Sequence, residues 1–171
     1  VTESPTARLV RQLQLAYSGE LAAACAYAGH WRSVSDSQER ASIRRIEEEE
    51  WHHRRLVGGM LEGLGARPVF WREVRAWLIG RVLGLLCHVS GWFLPMYGAG
   101  KLESRNVGEY VTAARYAIGC GRGDLVDCLL GMAEVEWDHE AYFRGRLVAR
   151  VAAERLRLWP ALPPREAIRR G

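Results

Sequence analysis

The chain has 171 residues, 24 lysines and arginines against 20 acids for a formal charge of +4, and 49% hydrophobic residues. Length and composition fit one folded domain with a substantial core and exclude a disordered chain. The mild basic excess concentrates between Arg144 and Arg170. It suits an acidic surface, either anionic lipid or nucleic acid, with a solvated helix end as the plainer reading; among partners, no nucleic acid is expected.

The N-terminal residues 1–9 are polar, with no apolar core of a signal peptide. Cys25, Cys87, Cys120 and Cys128 have neither metal-site nor disulfide-framework spacing. They read as small buried thiols of a reducing compartment, and a cytoplasmic location follows as the expectation.

Ser4-Pro5 opens the first predicted helix, with serine as cap and proline in the first turn. Its apolar stripe is Leu9, Leu13, Ala16, Ala23, Ala24 and Tyr27, recurring at three- and four-residue steps. The second helix begins near Ser35, where Gln38 completes a capping box, and ends at Gly65 with Pro68 beyond. A longer helical region over 74–118 is interrupted by Pro95 and Gly98. The last helix starts at Asp124 after Gly121-Arg122-Gly123 and runs past Arg150. No stretch alternates with the period of a strand, so the predicted fold is all-α.

Residues 77–97 are unusually apolar, although Arg81 leaves only 82–97 without a formal charge. That is short of the roughly 20 residues of a membrane span. A buried crossing helix and a helix lying in the lipid interface both fit it.

Two helices carry Glu-x-x-His, Glu50 with His53 and Glu136 with His139. Residues three apart share one side of a helix, so both side chains can reach one metal. Glu50 and His53 fall inside the stripe Ile43, Ile46, Val57, Met60, Leu64, whereas Glu49 and His52 share a face with Arg45. Glu136 and His139 interrupt Leu125, Leu129, Met132 and Phe143 in the same way, and Glu20 falls within the stripe of the first helix. Charges at apolar positions are costly unless compensated. In the third helix Glu103 lies in line with Met96, Ala99, Val107, Tyr110, Ala114 and Ala117. Glu109 shares a more polar face with Arg105, Thr112 and Tyr116, so Glu103 is preferred.

The set Glu20, Glu50, His53, Glu103, Glu136 and His139 gives one glutamate from each of two helices and Glu-x-x-His from each of two others. Ferritin-like four-helix bundles with two iron or two manganese ions use this arrangement. Four carboxylates neutralise two divalent ions, and oxygen ligands with one imidazole per metal suit iron, with manganese next. The predicted architecture is thus a ferritin-like bundle with a long apolar crossing segment, a di-iron domain over 1–155 and a basic tail over 156–171.

Gly19-Glu20 and Tyr27-Ala28-Gly29, the run Glu48 to His53 with Arg67-Pro68, Gly84 and Gly91, Leu102-Glu103 with Tyr110, and Glu136-Trp137-Asp138-His139 occur in order. Over residues 8–147 this resembles the demethoxyubiquinone hydroxylase family. The resemblance implies the same six ligands, with Glu50 and Glu136 bridging two irons. It also implies a monooxygenase of ubiquinone biosynthesis, peripheral to a membrane, that uses molecular oxygen to hydroxylate a quinone-like ring. Glu109 stands where the family usually has histidine, His30 where glutamine is expected, and the end of the chain is arginine-rich in place of an apolar helix. Tyr110 and His30 are candidates for groups that bond to the ligands without binding metal. The same ligands would also serve a ferroxidase or peroxidase without an organic substrate, and a homo-oligomer fits either reading.

Overall fold

The computed structural model describes residues 3–151 and 161–170, and all regular structure among them is helical. Five α-helices follow one another: α1 (Pro5–Ser33), α2 (Ser37–Gly63), α3 (Phe70–Leu86), α4 (Phe93–Gly119) and α5 (Val126–Val151). Short 3-10 helices cover Gly123–Leu125 and Arg165–Arg170. The chain divides into two compact units, residues 1–92 and 93–171.

In the first unit, α1 begins as its sequence dictates. The Ser4 side chain accepts from the Ala7 amide at 3.2 Å, and Pro5 sits where an amide would have no helical acceptor. The α2 cap is Asp36, whose carboxylate accepts from the Glu39 amide at 2.8 Å. It replaces the expected Ser35, because an ionised carboxylate at a helix N-terminus also complements the dipole. Three residues separate α1 from α2, so the two run as an antiparallel hairpin. Gly65, at φ 66°, closes α2, with the Ala66 amide bonded to the Leu61 carbonyl.

The stripes read from the sequence are buried. Leu9, Leu13, Ala16, Ala23, Ala24 and Tyr27 are buried on α1, and Ile43, Ile46, Val57 and Met60 on α2. Leu64 is half-buried at the helix end, and Leu61 takes its place in the core.

The long apolar crossing segment is not present. Helix α3 ends at Leu86, the chain turns over 87–92 through Gly91 at φ 75°, and α4 begins at Phe93. Pro95 and Gly98, expected as interruptions, lie inside α4. Pro95 is tolerated because it falls in the first turn, where its missing amide costs no helical bond. No helix among the described residues is long and apolar enough to cross a membrane.

Nor is α3 a buried helix. It packs on α1 through Ala76, Gly80 and Gly84, one turn apart. A Cβ at Gly80 would stand 2.4 Å from the Ala22 carbonyl oxygen, and one at Gly29 would stand 2.3 Å from that of Gly84. The bulky residues project outward: Trp71, Trp77, Leu78, Val82, Leu85 and Leu86 are all exposed. The polar end of α3 is fastened inward. Glu73 pairs with Arg54 and accepts from Ser18 Oγ at 2.7 Å, while the Arg54 guanidinium lies 3.6 Å from the centre of the Tyr17 ring.

In the second unit α4 and α5 form another hairpin. Gly121, at φ 75°, closes α4, and the Arg122 amide bonds to the Ala117 carbonyl at 2.8 Å, as in the exit of α2. A 3-10 turn at Gly123–Leu125 leads into α5, two residues later than the sequence indicates. Its core holds Met96, Tyr110, Ala113, Ala114, Ala117, Leu129, Met132, Phe143 and Leu147. Residues 161–170, part of the expected basic tail, return to α5. Ile168 is buried, the Trp137 indole donates to the Pro163 carbonyl, and Arg165 makes two bonds to Asp138. Arg169 pairs with Asp127 and Glu134. The rest of that tail, 156–160 and 171, lies outside the described residues.

The four cysteines are free thiols and half-buried rather than buried. Desolvation holds Cys25, Cys87 and Cys128 above the ordinary thiol value, so each stays a neutral thiol.

Gly29→Ala and Gly80→Ala should each destabilise the protein by about 1–3 kcal/mol in urea unfolding, because the new methyl meets backbone and helices must separate. That cost outweighs the ~1 kcal/mol that alanine gains over glycine inside a helix. Gly59→Ala, on α2 with no atom within 4 Å of the added carbon, should show the gain alone.

Candidate metal centre

Each unit buries, among other polar groups, a set of two glutamates and one histidine on facing helices of its hairpin. In the first unit Glu20 of α1 and Glu50 and His53 of α2 are at most 3% exposed. They offer ligand atoms within 4.8 Å of one another. His53 Nδ1 lies 4.0 Å from Glu20 Oε2. The alternative pair on α2 faces outward: His52 is exposed and Glu49 pairs with Arg45 at 3.8 Å.

The second unit repeats the set. Glu103 of α4 and Glu136 and His139 of α5 are at most 4% exposed, and their ligand atoms also lie within 4.8 Å of one another. His139 Nδ1 is 3.8 Å from Glu136 Oε2. Glu109 belongs elsewhere: its carboxylate accepts from Arg105 Nε at 2.6 Å on the surface of α4.

The donor chemistry fits a divalent ion in each set. Two carboxylates and one neutral imidazole match the charge of one such ion and supply oxygen-rich, sulfur-free ligands. Helix geometry explains why each histidine follows its glutamate by three residues. That spacing turns both side chains toward the same side, while the glutamate from the other helix of the hairpin approaches from across.

Tyr110, seven residues after Glu103 on the same face of α4, is 2% exposed. His30, near the end of α1, is 3% exposed and stacks on Tyr27 with ring centres 6.3 Å apart. Burial alone lowers its imidazole from 6.5 to about 4, so it is neutral at physiological pH.

Three features of this region were not read from the sequence. Asn106 Nδ2 donates to Glu103 Oε2 at 3.2 Å and to Glu136 Oε2 at 3.4 Å. Its place three residues after Glu103 was the available signal. Glu140, beside His139, is buried and accepts from Arg144, an i,i+4 pair visible in the sequence. Glu39 is buried and accepts from the Trp92 indole at 2.9 Å, a pairing 53 residues apart that no local pattern announces. An open groove of about 460 Å³ also lies in the first unit, between Tyr17, Leu21, Arg54, Pro68, Val74 and Trp77. It contains none of the six candidate ligands.

The buried imidazole sets an acid limit. Between pH 6.5 and about 4 the unfolded chain takes up a proton at His30 that the folded chain refuses. Stability from this source is therefore full above pH 6.5 and falls as the pH drops toward 4, by up to about 3 kcal/mol. Subtracting the pH–stability curve of His30→Gln from that of the parent should leave this slope in that window, and no slope above pH 7.

Set against protein-family models, curated proteins and solved structures, the chain matches none.

Proposed function

We propose that this protein is a di-iron monooxygenase that hydroxylates an apolar, quinone-like substrate, on a ferritin-like bundle whose ligand helices are α1, α2, α4 and α5. The observation that carries the reading is the repetition of one buried Glu, Glu, His set in each unit. Glu20, Glu50 and His53 hold one ion, and Glu103, Glu136 and His139 hold the other. When bound, the irons supply the redox chemistry that activates molecular oxygen. Incorporating one oxygen atom into a C–H bond and reducing the other to water takes two electrons and two protons, so an external reductant is a required partner.

The side chains of this chain do the rest. The six ligands fix the ions by charge and direction. Ile46 and Val57 lie one turn to either side of Glu50 and His53, and Met132 and Phe143 flank Glu136 and His139 in the same way. They exclude water, which protects reactive oxygen chemistry from wasteful decay. His30 is neutral across the physiological range and adds no positive charge beside α1. Tyr110, buried in the face of α4 that bears Glu103, is the phenol we assign to orienting ligands or substrate.

An apolar substrate is supported by α3, whose exposed Trp77, Leu78, Val82, Leu85 and Leu86 share the helix with exposed Arg75 and Arg81. We read this face as resting on an anionic membrane surface, where such a substrate is dissolved. Its one acid, Glu73, is turned toward Arg54 and leaves the exposed charge basic. A storage ferroxidase has no use for such a face.

His53→Ala and His139→Ala should each lower iron content sharply, since each removes the sole nitrogen ligand of one ion, and His52→Ala should leave it unchanged. Single turnover of reduced protein with a demethoxyquinol under labelled oxygen should place label in the ring. Oxidation of many irons per chain with no labelled product across a panel of quinols would instead establish the ferroxidase.

In vesicle flotation the protein should rise with anionic liposomes at low salt. Leu85→Glu and Leu78→Glu should abolish this without changing iron content. Equal flotation of parent and variants would remove α3 from the reading.

A further inference from the structure

We propose that Asn106 is a positioning residue for the metal ligands of the second unit, an inference that rests on the metal-binding reading above. Asn106 lies one turn after Glu103 on α4, and its amide nitrogen reaches Glu103 Oε2 and Glu136 Oε2 at 3.2 and 3.4 Å. An amide nitrogen carries two hydrogens, and an ionised carboxylate is purely an acceptor. One side chain thus joins a carboxylate of α4 to a carboxylate of α5. Both bonds go to an Oε2 atom, so Asn106 itself occupies neither Oε1.

The residue type matters. An arginine or lysine at 106 would join the same two carboxylates but cancel the negative charge that attracts a divalent ion. A leucine would leave the charge and lose the bridge. Asparagine holds both side chains in place and adds no charge. Hydrogen bonds to ligating groups set their direction, and losing one costs about 10- to 100-fold in metal affinity. Asn106 itself is half-buried on α4 and is not counted among the ligands.

The test is a cobalt(II) titration of the full chain, followed by visible absorption. His139→Ala identifies the bands that belong to the second unit. Asn106→Ala should weaken cobalt binding about 10- to 100-fold at those bands and shift them, because the carboxylates lose their fixed direction. Asn106→Gln, which keeps the amide, should recover part of the affinity. Thermal melting of the metal-free forms checks that each variant folds, and a change in folding alone would not move the cobalt bands of the folded fraction. If the parent protein binds no cobalt, the metal reading fails and takes this assignment with it. If the parent binds and Asn106→Ala has the same affinity and bands, the metal reading stands and Asn106 has no positioning role.

Discussion

Every helix that carries a candidate ligand spends part of its buried stripe on charge. Glu20, Glu50, Glu103 and Glu136 are at most 3% exposed, at positions where the helical period calls for leucine or isoleucine. Replacing an apolar side chain by a buried carboxylate gives up transfer free energy on the order of 2 kcal/mol and adds a desolvation cost of several kcal/mol per ion. Four such substitutions are of the same order as the whole stability of an ordinary domain. A fold accepts them only where a cation or a hydrogen-bond network returns most of the cost. The remaining stripe residues, from Leu9 and Leu13 to Leu129 and Leu147, are what supply the margin.

Helix α1 meets two different demands on its two sides. Toward α2 it presents Glu20, 4.0 Å from His53; toward α3 it presents Ala22, Cys25 and Gly29. Small residues at a four-residue step let backbones approach until carbonyl oxygens nearly touch the neighbouring Cα positions. The consequence falls on α3. With Ala76, Gly80 and Gly84 spent on the interface, its large side chains have nowhere to go but outward. Small residues at the contact and bulky apolar ones outside is the distribution found where lipid rather than water surrounds a helix. Here it occurs on a helix of 17 residues, Phe70–Leu86, which is too short to cross.

What the sequence made legible was whatever repeats locally. Stripes at three- and four-residue steps located the helices, and the same phase separated His53 from His52 and Glu103 from Glu109 in burial. Glycine exits at Gly65 and Gly121 were readable because only a left-handed residue closes a helix in that way. Between residues 77 and 98 two local signals compete. Pro95 and Gly98 looked like breakers, yet proline in a first turn breaks nothing, and the true break at 87–92 carries only Gly91 to mark it. The hydrophobicity of 77–97 left a buried crossing helix and an interfacial helix both open, because composition does not say which side of a helix its small residues occupy. The bond of Asn106 to Glu136, the burial of Glu39 against Trp92 and the return of Arg165 and Arg169 to α5 depend on side chains meeting across elements, which no periodicity encodes.

The two units solve the same problem with different wiring. Each is a helical hairpin with a glutamate on its first ligand helix and Glu-x-x-His on its second. In the first unit the histidine lies near the glutamate of the other helix, His53 to Glu20, so the contact spans the hairpin. In the second unit His139 lies near its own Glu136 on the same helix, and the hairpin is spanned by Asn106. The outer side of α5 is held as well, since Trp137 and Asp138, between those two ligands in sequence, bind Pro163 and Arg165. A helix gripped on the face opposite its ligands has less freedom to roll, and rolling α5 would swing Glu136 and His139 together. The C-terminal segment and Asn106 therefore constrain the same motion from opposite sides. For α1 the corresponding restraint is its backbone contact with α3, which limits the roll that would displace Glu20.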